Sequence, residues 1–320
     1  MPLSVIEAAT SANFCEQGYV LCNKDIENFV MGGGDAGKHF NTHGVNEVRQ
    51  QISSDFLGES GDVYRREKYQ RFREVLELDG LTRPNYMGDA DSFPIALTDR
   101  YFSTSDYSAE SANLGYGPFF RELEANPDKN YMDIGCGLRS RVYENCLYVE
   151  VYASVTADVV VAPDSSYPIK SNSLDGIGCF AVLEHVTKPW EVVAEIKRML
   201  KPGGVCFVDW PFLQPLHGYP SHYFNATRQG LELLFSEGFD ILQLRTERSQ
   251  TPDHTIQWLL GKFVRDLPDK KRKMVMEMSL AAFLEATPGS DFWANILDGL
   301  PDETISEFAC GNTLIARKAM

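Results

Sequence analysis

The sequence predicts an α/β fold of three layers, in which a mostly parallel sheet of seven strands lies between helices. One observation is a change of rhythm after Asn130, where short apolar runs begin to alternate with helical patterns, as in a doubly wound parallel sheet. Another is the stretch YMDIGCGLRSR at 131–141. There an aspartate in a short apolar run is followed by two glycines, the pattern of a strand that leads into a tight ligand-binding loop.

The first 127 residues predict a cap of helices and loops rather than a part of the sheet. Glycine, proline and polar clusters break up this region, and two segments stand out by helical spacing of their apolar residues. The first runs from Asn46, a candidate N-cap, to Gly58. The second covers about 62–78 and ends before Gly80.

The core of the fold is predicted at 128–249. Two helices lie between its strands, one at about 191–200 and one at about 227–238. Five apolar runs are the predicted strands: Tyr131 to Ile134, Leu147 to Val151, Gly176 to Ala181, Val205 to Trp210, and Phe239 to Leu244.

Residues 250–305 predict a helical insertion over one end of the sheet, because the strand rhythm stops there and helical spacing replaces it. The final apolar run, FACGNTLIARK, then predicts a last strand at 306–320 that returns to the sheet. The expected organisation is therefore a cap at 1–127, a core at 128–249 with 306–320, and an insertion between the two core segments.

Charge and cysteine usage exclude several classes of function. A net charge of -15 and a pI near 4.9 argue against a nucleic-acid partner, since affinity for nucleic acid depends on lysine and arginine contacts to phosphate. The 7 cysteines are scattered and form no C-x-x-C pair, so we expect free thiols and no metal site.

No membrane segment or secretory signal is expected. Residues 1–20 lack a basic start followed by a long apolar run, and they carry Glu7 and Glu16. No window holds the ~18 uncharged apolar residues of a spanning helix. The sequence therefore favours a cytoplasmic protein without a membrane partner, and it leaves the oligomeric state open.

The loops after the predicted strands form one surface, because a parallel sheet binds its ligand at the carboxyl ends of its strands. Gly135 and Gly137 follow the first strand and allow the backbone to approach a ligand closely. Glu150 lies 17 positions after Asp133, where a carboxylate accepts both hydroxyls of a ribose. Ser140 stands where the series G-x-G-x-x-G has its third glycine, so a dinucleotide is disfavoured.

Four motifs of this region resemble those of one family. They are DIGCG, the VEV that ends the second strand, YPIKSNSLDGIGCFAVLEHV, and EIKRMLKPGGVCFVDWPF. In order and spacing, over about 130–245, they are similar to class I S-adenosylmethionine-dependent methyltransferases. The segment PFLQPLHGYPSHYFNATRQGL further resembles a bacterial subgroup associated with glycan or small-molecule biosynthesis. The resemblance implies a Rossmann-like core that binds S-adenosyl-L-methionine and releases S-adenosyl-L-homocysteine.

The resemblance also implies contacts to this cofactor. It assigns Asp133, Gly135 and Gly137 to the methionine part, and Glu150 to the ribose hydroxyls.

Two further strand ends of the family's sheet give the other expected cofactor contacts. Phe180 and Ala181 would line the cofactor. Many family members place an acid after the third strand of their own sheet to meet the adenine amino group, whereas this chain has Pro163 at the matching position. Asp164 and Ser165 are the candidates for that contact.

The implied activity is methyl transfer, and the expected acceptor is an oxygen of a small molecule or sugar in a biosynthetic pathway. A sulfonium methyl is already activated, so catalysis needs an in-line nucleophile and a water-poor site. A hydroxyl acceptor also profits from a base, and His217 and His222 follow the strand predicted at Val205 to Trp210; His217 is the first choice. Either histidine can equally cap a turn, and since no third ligand accompanies them, a metal is not expected.

Three other classes of function stay open as alternatives. A non-catalytic module would bind S-adenosylmethionine without turnover, and a nicotinamide-dependent oxidoreductase would share the sheet but bind a dinucleotide. The stretch GGGDAGKH, Gly32 to His39, imitates a phosphate-binding loop. It would make the protein a phosphate-loop nucleotide hydrolase. The stretch lacks the hydroxyl residue after Lys38, and the sequence shows no convincing strand before it and no convincing helix directly after it.

Overall fold

A computed structural model describes residues 2–77, 85–86, 91–97, 116–163, 166–217, 221–310 and 312–317. Contacts within the chain divide it into two compact units. The first comprises Met1–Trp210 and Gly218–Ile241, and the second comprises Pro211–His217 and Leu242–Met320.

The described residues of the first unit form eleven strands: β1 (Leu3–Ser4), β2 (Ile6–Ala8), β3 (Gln50–Ile52), β4 (Asn85–Tyr86), β5 (Ile95–Ala96), β6 (Tyr131–Ile134), β7 (Arg141–Val142), β8 (Cys146–Glu150), β9 (Val159–Val160), β10 (Leu174–Phe180) and β11 (Leu200–Asp209). Seven of them form one sheet in the order β11-β10-β6-β8-β9-β5-β4. All neighbours in it are parallel except β4 and β5. The chain order reverses at β6, which has β8 on one side and β10 on the other. The loop after Ile134 therefore lies at the switch point of the sheet.

Helices of the first unit are α1 (Glu16–Cys22), α2 (Lys24–Met31), α3 (Ala36–His39), α4 (Ser54–Leu57), α5 (Glu59–Phe72), α6 (Gly117–Ala125), α7 (Pro189–Met199) and α8 (Arg228–Leu234). A π-helical turn at Phe40–Gly44 and a 3₁₀ turn at Leu183–His185 complete them. In α7, a proline begins the helix and Lys197 and Arg198 lie in its last turn, where cations favour the negative end of the helix dipole. The helix buries one side against the sheet: Val193, Ile196 and Met199.

Alternation along the strands makes the sheet the middle of three layers. Met132 and Leu147 belong to one buried cluster, which includes side chains of α7. Tyr131 and Cys146, the preceding residues in each strand, belong to the other, which includes side chains of α4 and α6. Successive residues of a strand point to opposite faces, so both faces of the sheet are covered. The predicted mostly parallel, three-layer α/β fold is confirmed.

The origin of the outer strands differs from the prediction. At one edge, β4 and β5 come from the region predicted as a cap, and they extend the sheet beyond β9. The strand predicted at 239–244 does not form, and Leu242 is 79% exposed there. The predicted last strand also fails within the described residues 306–310 and 312–317, where Ile315 is 94% exposed. Apolar runs predict strands only if a sheet edge is within reach, and the sequence does not show which edge is occupied.

Residues 46–58 are likewise not the single helix that their spacing predicts. Residues 50–52 form β3, in which Ile52 pairs with Ile6 of β2 and is fully buried. Only α4 is helical, and the Ser53 hydroxyl caps it by accepting the N–H of Phe56 at 3.2 Å. Strand pairing has overridden the helical spacing here. The second predicted helix does form, as α5, and it ends at Phe72.

The second unit is helical in its described part. Its helices are α9 (Pro252–Asp266), α10 (Asp269–Glu277), α11 (Leu280–Glu285), α12 (Asp291–Leu297) and α13 (Asp302–Glu307). Leu267, Ile296 and Leu300 form its small buried core. Lys262 of α9 forms ion pairs with Asp266 and Glu307, which ties α13 to α9. No described helix is both long and apolar enough to span a bilayer.

A close approach of α1 to β3 gives a test of the fold. A Cβ at Gly18 would lie 2.0 Å from the carbonyl oxygen of Ile52, so Gly18→Ala should lower the free energy of unfolding by about 1–3 kcal/mol. Gly261 is the matched control, because it lies within α9 with no atom near its Cβ position. Gly261→Ala should stabilise by about 0.5–1 kcal/mol. Urea unfolding of both variants measures this, and equal effects would contradict the packing described.

Candidate functional site

The loop that leaves β6 is built on two glycines with left-handed backbone. Gly135 has a φ of 64° and Gly137 a φ of 59°, a region that disfavours residues with a Cβ. The Gly135 N–H donates to the Val149 carbonyl at 2.9 Å, which ties the loop to β8. A Cβ on Gly135 would lie 2.4 Å from Cγ2 of Val182, so the segment after β10 covers this loop directly.

Glu150 holds the same loop from the end of β8. Its Oε1 accepts the N–H of Gly137 at 2.8 Å, and its Oε2 accepts the N–H of Val151 at 2.8 Å. The residue is buried, with 6% exposed. A carboxylate offers two acceptor oxygens, so a buried carboxylate at this place is chemically suited to donors such as ribose hydroxyls.

Two hydroxyls after β8 fix the far side of the loop. The carbonyl of Gly137 accepts hydrogen bonds from Ser154 Oγ at 2.9 Å and from Thr156 Oγ1 at 2.7 Å. Thr156 Oγ1 in turn accepts the N–H of Arg139 at 3.2 Å. The loop is therefore held by side chains on both sides and has little freedom of its own.

Asp133 lies beneath the loop and pairs with Arg139. Arg139 donates to the two carboxylate oxygens of Asp133 through Nε at 2.8 Å and Nη2 at 3.1 Å. Both residues are buried, 0% and 1% exposed. Burial raises the pKa of the Asp133 carboxyl, and the guanidinium acts against that rise. The Asp133 carboxylate, expected at the methionine part of the cofactor, is thus already engaged by a side chain that the sequence analysis missed.

No helix follows this loop. In residues 135–145, all of which the structure describes, the chain forms only the two-residue strand β7. A helix N-terminus would place partial positive charge at the loop. Here the side chain of Arg139 reaches this place instead, where its guanidinium is paired with the Asp133 carboxylate. In the sequence, Arg139 could have been noticed as a basic residue two positions after Gly137. The segment between β6 and β8 that contains it is too short to hold both a helix and a strand.

The predicted residues after β10 have separate roles. Phe180 is buried, and its ring packs against Phe119 at 5.5 Å and Tyr116 at 5.7 Å between centroids. Ala181 has a φ of 54°, uncommon for a residue with a Cβ, and its N–H donates to the Asp209 carbonyl at 2.9 Å. Such strain is concentrated at functional sites. Asp164 and Ser165 lie outside the described residues.

Glu184 and His185 lie in the 3₁₀ turn that follows, where the sequence favours a role in fixing this loop over a role as acid and base. The Glu184 side chain is fully buried, and burial raises the pKa of its carboxyl to about 8. Its Oε1 lies 3.7 Å from Nε2 of His185. Nδ1 of His185 is 2.8 Å from the carbonyl oxygen of Ser221. The motif LEHV was the visible signal, but burial is a tertiary property.

The two histidines predicted as bases lie in different units. His217 belongs to the second unit, where its Nδ1 is 2.8 Å from the Pro215 carbonyl oxygen and its ring is 5.1 Å from that of Trp258. His222 belongs to the first unit, and its Nε2 is 2.6 Å from Oδ1 of Asn225. Of the two, only His222 is in the compact unit that carries the glycine loop.

A cavity of about 540 Å³ lies beside the segment after β8. Ser154, which binds the glycine loop, forms part of its wall together with Val155, Val160 and Arg65 of α5. Its volume is within the range of small-molecule sites. The phosphate-loop imitation is elsewhere and is not supported, because its glycines follow helix α2 rather than a strand.

Comparison with known proteins shows which family of domains the segment with this loop resembles. Residues 115–208 match the family model for the methyltransferase domain. This segment is a class I methyltransferase domain. Domains of this class take S-adenosylmethionine as cofactor, and the fit of this chain to it rests on the open backbone at Gly135 and Gly137 and on the acceptor capacity of Glu150.

Similarity to individual proteins is partial. An uncharacterised methyltransferase of Mycobacterium avium (strain 104) is 32% identical over 82 residues, 24% of this chain and 32% of that protein. One of Mycobacteroides abscessus is 26% identical over 132 residues, 40% of this chain and 44% of that protein. The chain thus spans less than half the length of these relatives. Phosphoethanolamine N-methyltransferase 2 of Haemonchus contortus, solved with S-adenosyl-L-methionine, has a TM-score of 0.32 and 16% identity over 61% of this chain and 49% of that one.

The buried ion pair of the methyltransferase domain gives a test of how its loop is held. Asp133→Asn leaves the Arg139 guanidinium buried without a counter-charge, which should cost on the order of 3–5 kcal/mol of unfolding free energy. Replacing both partners, as Asp133→Leu with Arg139→Met, should recover most of the loss. Urea unfolding measures both, with the exposed Asp128→Asn as the control. A loss at Asp133 no greater than at Asp128 would show that the pair does not hold the loop.

Proposed function

We propose that this protein is an S-adenosylmethionine-dependent methyltransferase that methylates oxygen of a small molecule or sugar in a biosynthetic pathway. The observation that carries the proposal is the contact between the Glu150 carboxylate and the Gly137 N–H at the switch point of the sheet. It combines a loop open to a ligand with an acceptor for ribose hydroxyls, within the matched methyltransferase domain.

The cofactor contacts of this proposal follow from the loop. Glu150 receives the ribose hydroxyls, and the backbone at Gly135 and Gly137 meets the methionine part, where the left-handed glycines keep space free of side chains. Asp133 acts from beneath the loop by pairing with Arg139, which holds the loop in place.

The adenine side of the site is proposed from the strand ends. Phe180 supports this side from within the aromatic core, and Ala181 brings backbone to the cofactor. Asp164 and Ser165 stay predicted contacts for the adenine amino group.

Methyl transfer requires little covalent chemistry from the chain. The cofactor supplies an activated methyl on a sulfonium, so the protein must align the acceptor and exclude water. For a hydroxyl acceptor, His222 is the proposed base, since the Asn225 carbonyl oxygen accepts from Nε2–H and the neutral ring then carries its lone pair on Nδ1. His217 stays a candidate from the second unit. No metal is part of this proposal.

The setting proposed for this activity is the cytoplasm. All 7 cysteines are free, which suits a reducing compartment. The acidic chain also supports a small-molecule acceptor rather than a nucleic acid.

Two alternatives differ from this proposal in what they bind and release. A non-catalytic module would bind S-adenosylhomocysteine but transfer no methyl group. A nicotinamide-dependent oxidoreductase would bind the dinucleotide instead. The absence of a third glycine in this loop argues against that alternative.

Cofactor binding is tested at Glu150. Glu150→Ala should weaken binding of S-adenosylhomocysteine by on the order of 10–100-fold, because each hydrogen bond to a charged acceptor contributes about 1.5–3 kcal/mol. Glu144→Ala removes an exposed carboxylate near the same loop and should leave the affinity unchanged. Isothermal calorimetry measures both. Wild-type protein that takes up no S-adenosylhomocysteine, or equal affinities for both variants, would refute the placement.

The acceptor atom is tested with S-adenosylmethionine that carries an isotope-labelled methyl group. Incubated with a panel of hydroxylated small molecules and sugars, the protein should form a product whose labelled carbon has the chemical shift of a methyl ether or ester in nuclear magnetic resonance (NMR) spectra. Label found as an N-methyl or C-methyl group would reject the oxygen assignment and keep the methyltransferase. Binding of the cofactor without any labelled product would favour the non-catalytic module.

A further inference from the structure

The 3₁₀ turn after β10 presents two titratable side chains next to the cofactor loop. Val182, which lies against Gly135, directly precedes this turn. Glu184 is buried within the turn, and His185 is 22% exposed at its end. Glu184 and His185 therefore lie two and three positions after the residue that covers the proposed cofactor site.

Three hydrogen bonds attach the segment 221–224 to this turn. The Glu184 carbonyl accepts the N–H of Tyr223 at 2.7 Å and that of Phe224 at 3.4 Å. The third joins His185 Nδ1 to the carbonyl oxygen of Ser221 at 2.8 Å. His222 lies within this segment, and its ring meets that of His185 edge to face at 5.5 Å. The place of the proposed base thus depends on the turn.

The Ser221 contact fixes the tautomer of His185. A carbonyl oxygen only accepts, so Nδ1 must carry the proton, and a neutral ring then has its lone pair on Nε2. That lone pair faces Oε1 of Glu184 at 3.7 Å. Two unprotonated atoms facing each other in a buried place repel, so the two side chains hold at least one proton between them.

The surroundings of Glu184 place that proton on its carboxyl at neutral pH. Among the described residues of the first unit, Asp209 of β11, Cys179 of β10 and the ring of His185 are titratable groups near it. Burial and, after it, the Asp209 carboxylate raise the pKa of Glu184 to about 8. With that proton on Glu184, the two side chains no longer face each other with unprotonated atoms, and the His185 ring keeps its Nδ1–H on the Ser221 carbonyl.

We propose that His185 is a positioning residue for His222, and that the buried carboxyl of Glu184 holds His185 in the Nδ1–H form that this requires. The proposal rests on the proposed function for the role of His222 as base. The LEHV turn then aligns His222, the proposed base, and does not itself contact the methyl-accepting substrate.

The tautomers are tested in the intact protein by NMR of nitrogen-15-labelled histidine side chains, which distinguishes Nδ1–H from Nε2–H. His185 should show the Nδ1–H form at pH 7, and His222 the Nε2–H form. His185→Asn keeps a donor at the position of Nδ1, whereas His185→Phe keeps the ring and loses the donor. The asparagine variant should preserve the single tautomer of His222, and the phenylalanine variant should lose it. His254→Phe, an exposed histidine of α9, is the control and should change neither signal.

The same spectra test Glu184. Ring signals of His185 should show an inflection near pH 8 in the wild type, where Glu184 ionises. Glu184→Gln, which mimics the neutral carboxyl, should keep the Nδ1–H form and lose that inflection. An Nε2–H form of His185, a His222 signal unchanged in His185→Phe, or an inflection that persists in Glu184→Gln would each overturn the proposal.

Failure of this inference is separable from failure of the proposed function. The histidine spectra need neither cofactor nor acceptor, whereas the function is decided by S-adenosylhomocysteine binding and methyl transfer. Protein that binds S-adenosylhomocysteine but shows no coupling among Glu184, His185 and His222 would refute this inference and leave the proposed function standing.

Discussion

The ion pair between Asp133 and Arg139 sets the shape of the glycine loop, because it anchors β6 and the segment before β7 in the same buried place. Two opposite charges in a low-dielectric interior are costly to separate, so neither end of the loop is able to move without the other. The Glu150 carboxylate and the hydroxyls after β8 then fix the loop from the side. In a fold where a helix commonly follows this loop, the chain reaches the same rigidity with side chains.

Two buried carboxyls at this edge of the sheet behave differently because of their neighbours. Asp133 has a guanidinium at hydrogen-bond distance, which stabilises the ionised form against burial. Glu184 has a histidine at 3.7 Å and the Asp209 carboxylate nearby, so burial dominates and the neutral form prevails at pH 7. The first carboxyl supports structure as an ion, and the second is available to hold a proton.

Several elements were predictable because their signal is local. The strand at 131–134 and the two glycines after it are specified by a short apolar run and by the left-handed backbone that only glycine adopts freely. Helix α7 follows from Pro189, the basic last turn and one apolar face. Glu150 was found because the distance from one strand end to the next is set by the sheet itself. None of these inferences required knowledge of a distant partner.

Other elements depended on partners that the sequence does not identify. Residues 50–52 became a strand because β2 was available to pair with them, whereas 239–244 and 312–317 found no sheet edge within the described chain. Arg139 and Glu184 acquired their roles from burial, which sequence spacing does not report. The sequence by itself determined the parallel sheet, the glycine loop and the methyltransferase motifs, since these arise from local periodicity and backbone freedom. Only the tertiary structure decided which strands complete the sheet, which charge holds the loop and which carboxyl keeps its proton, because pairing and desolvation depend on residues far apart in the chain.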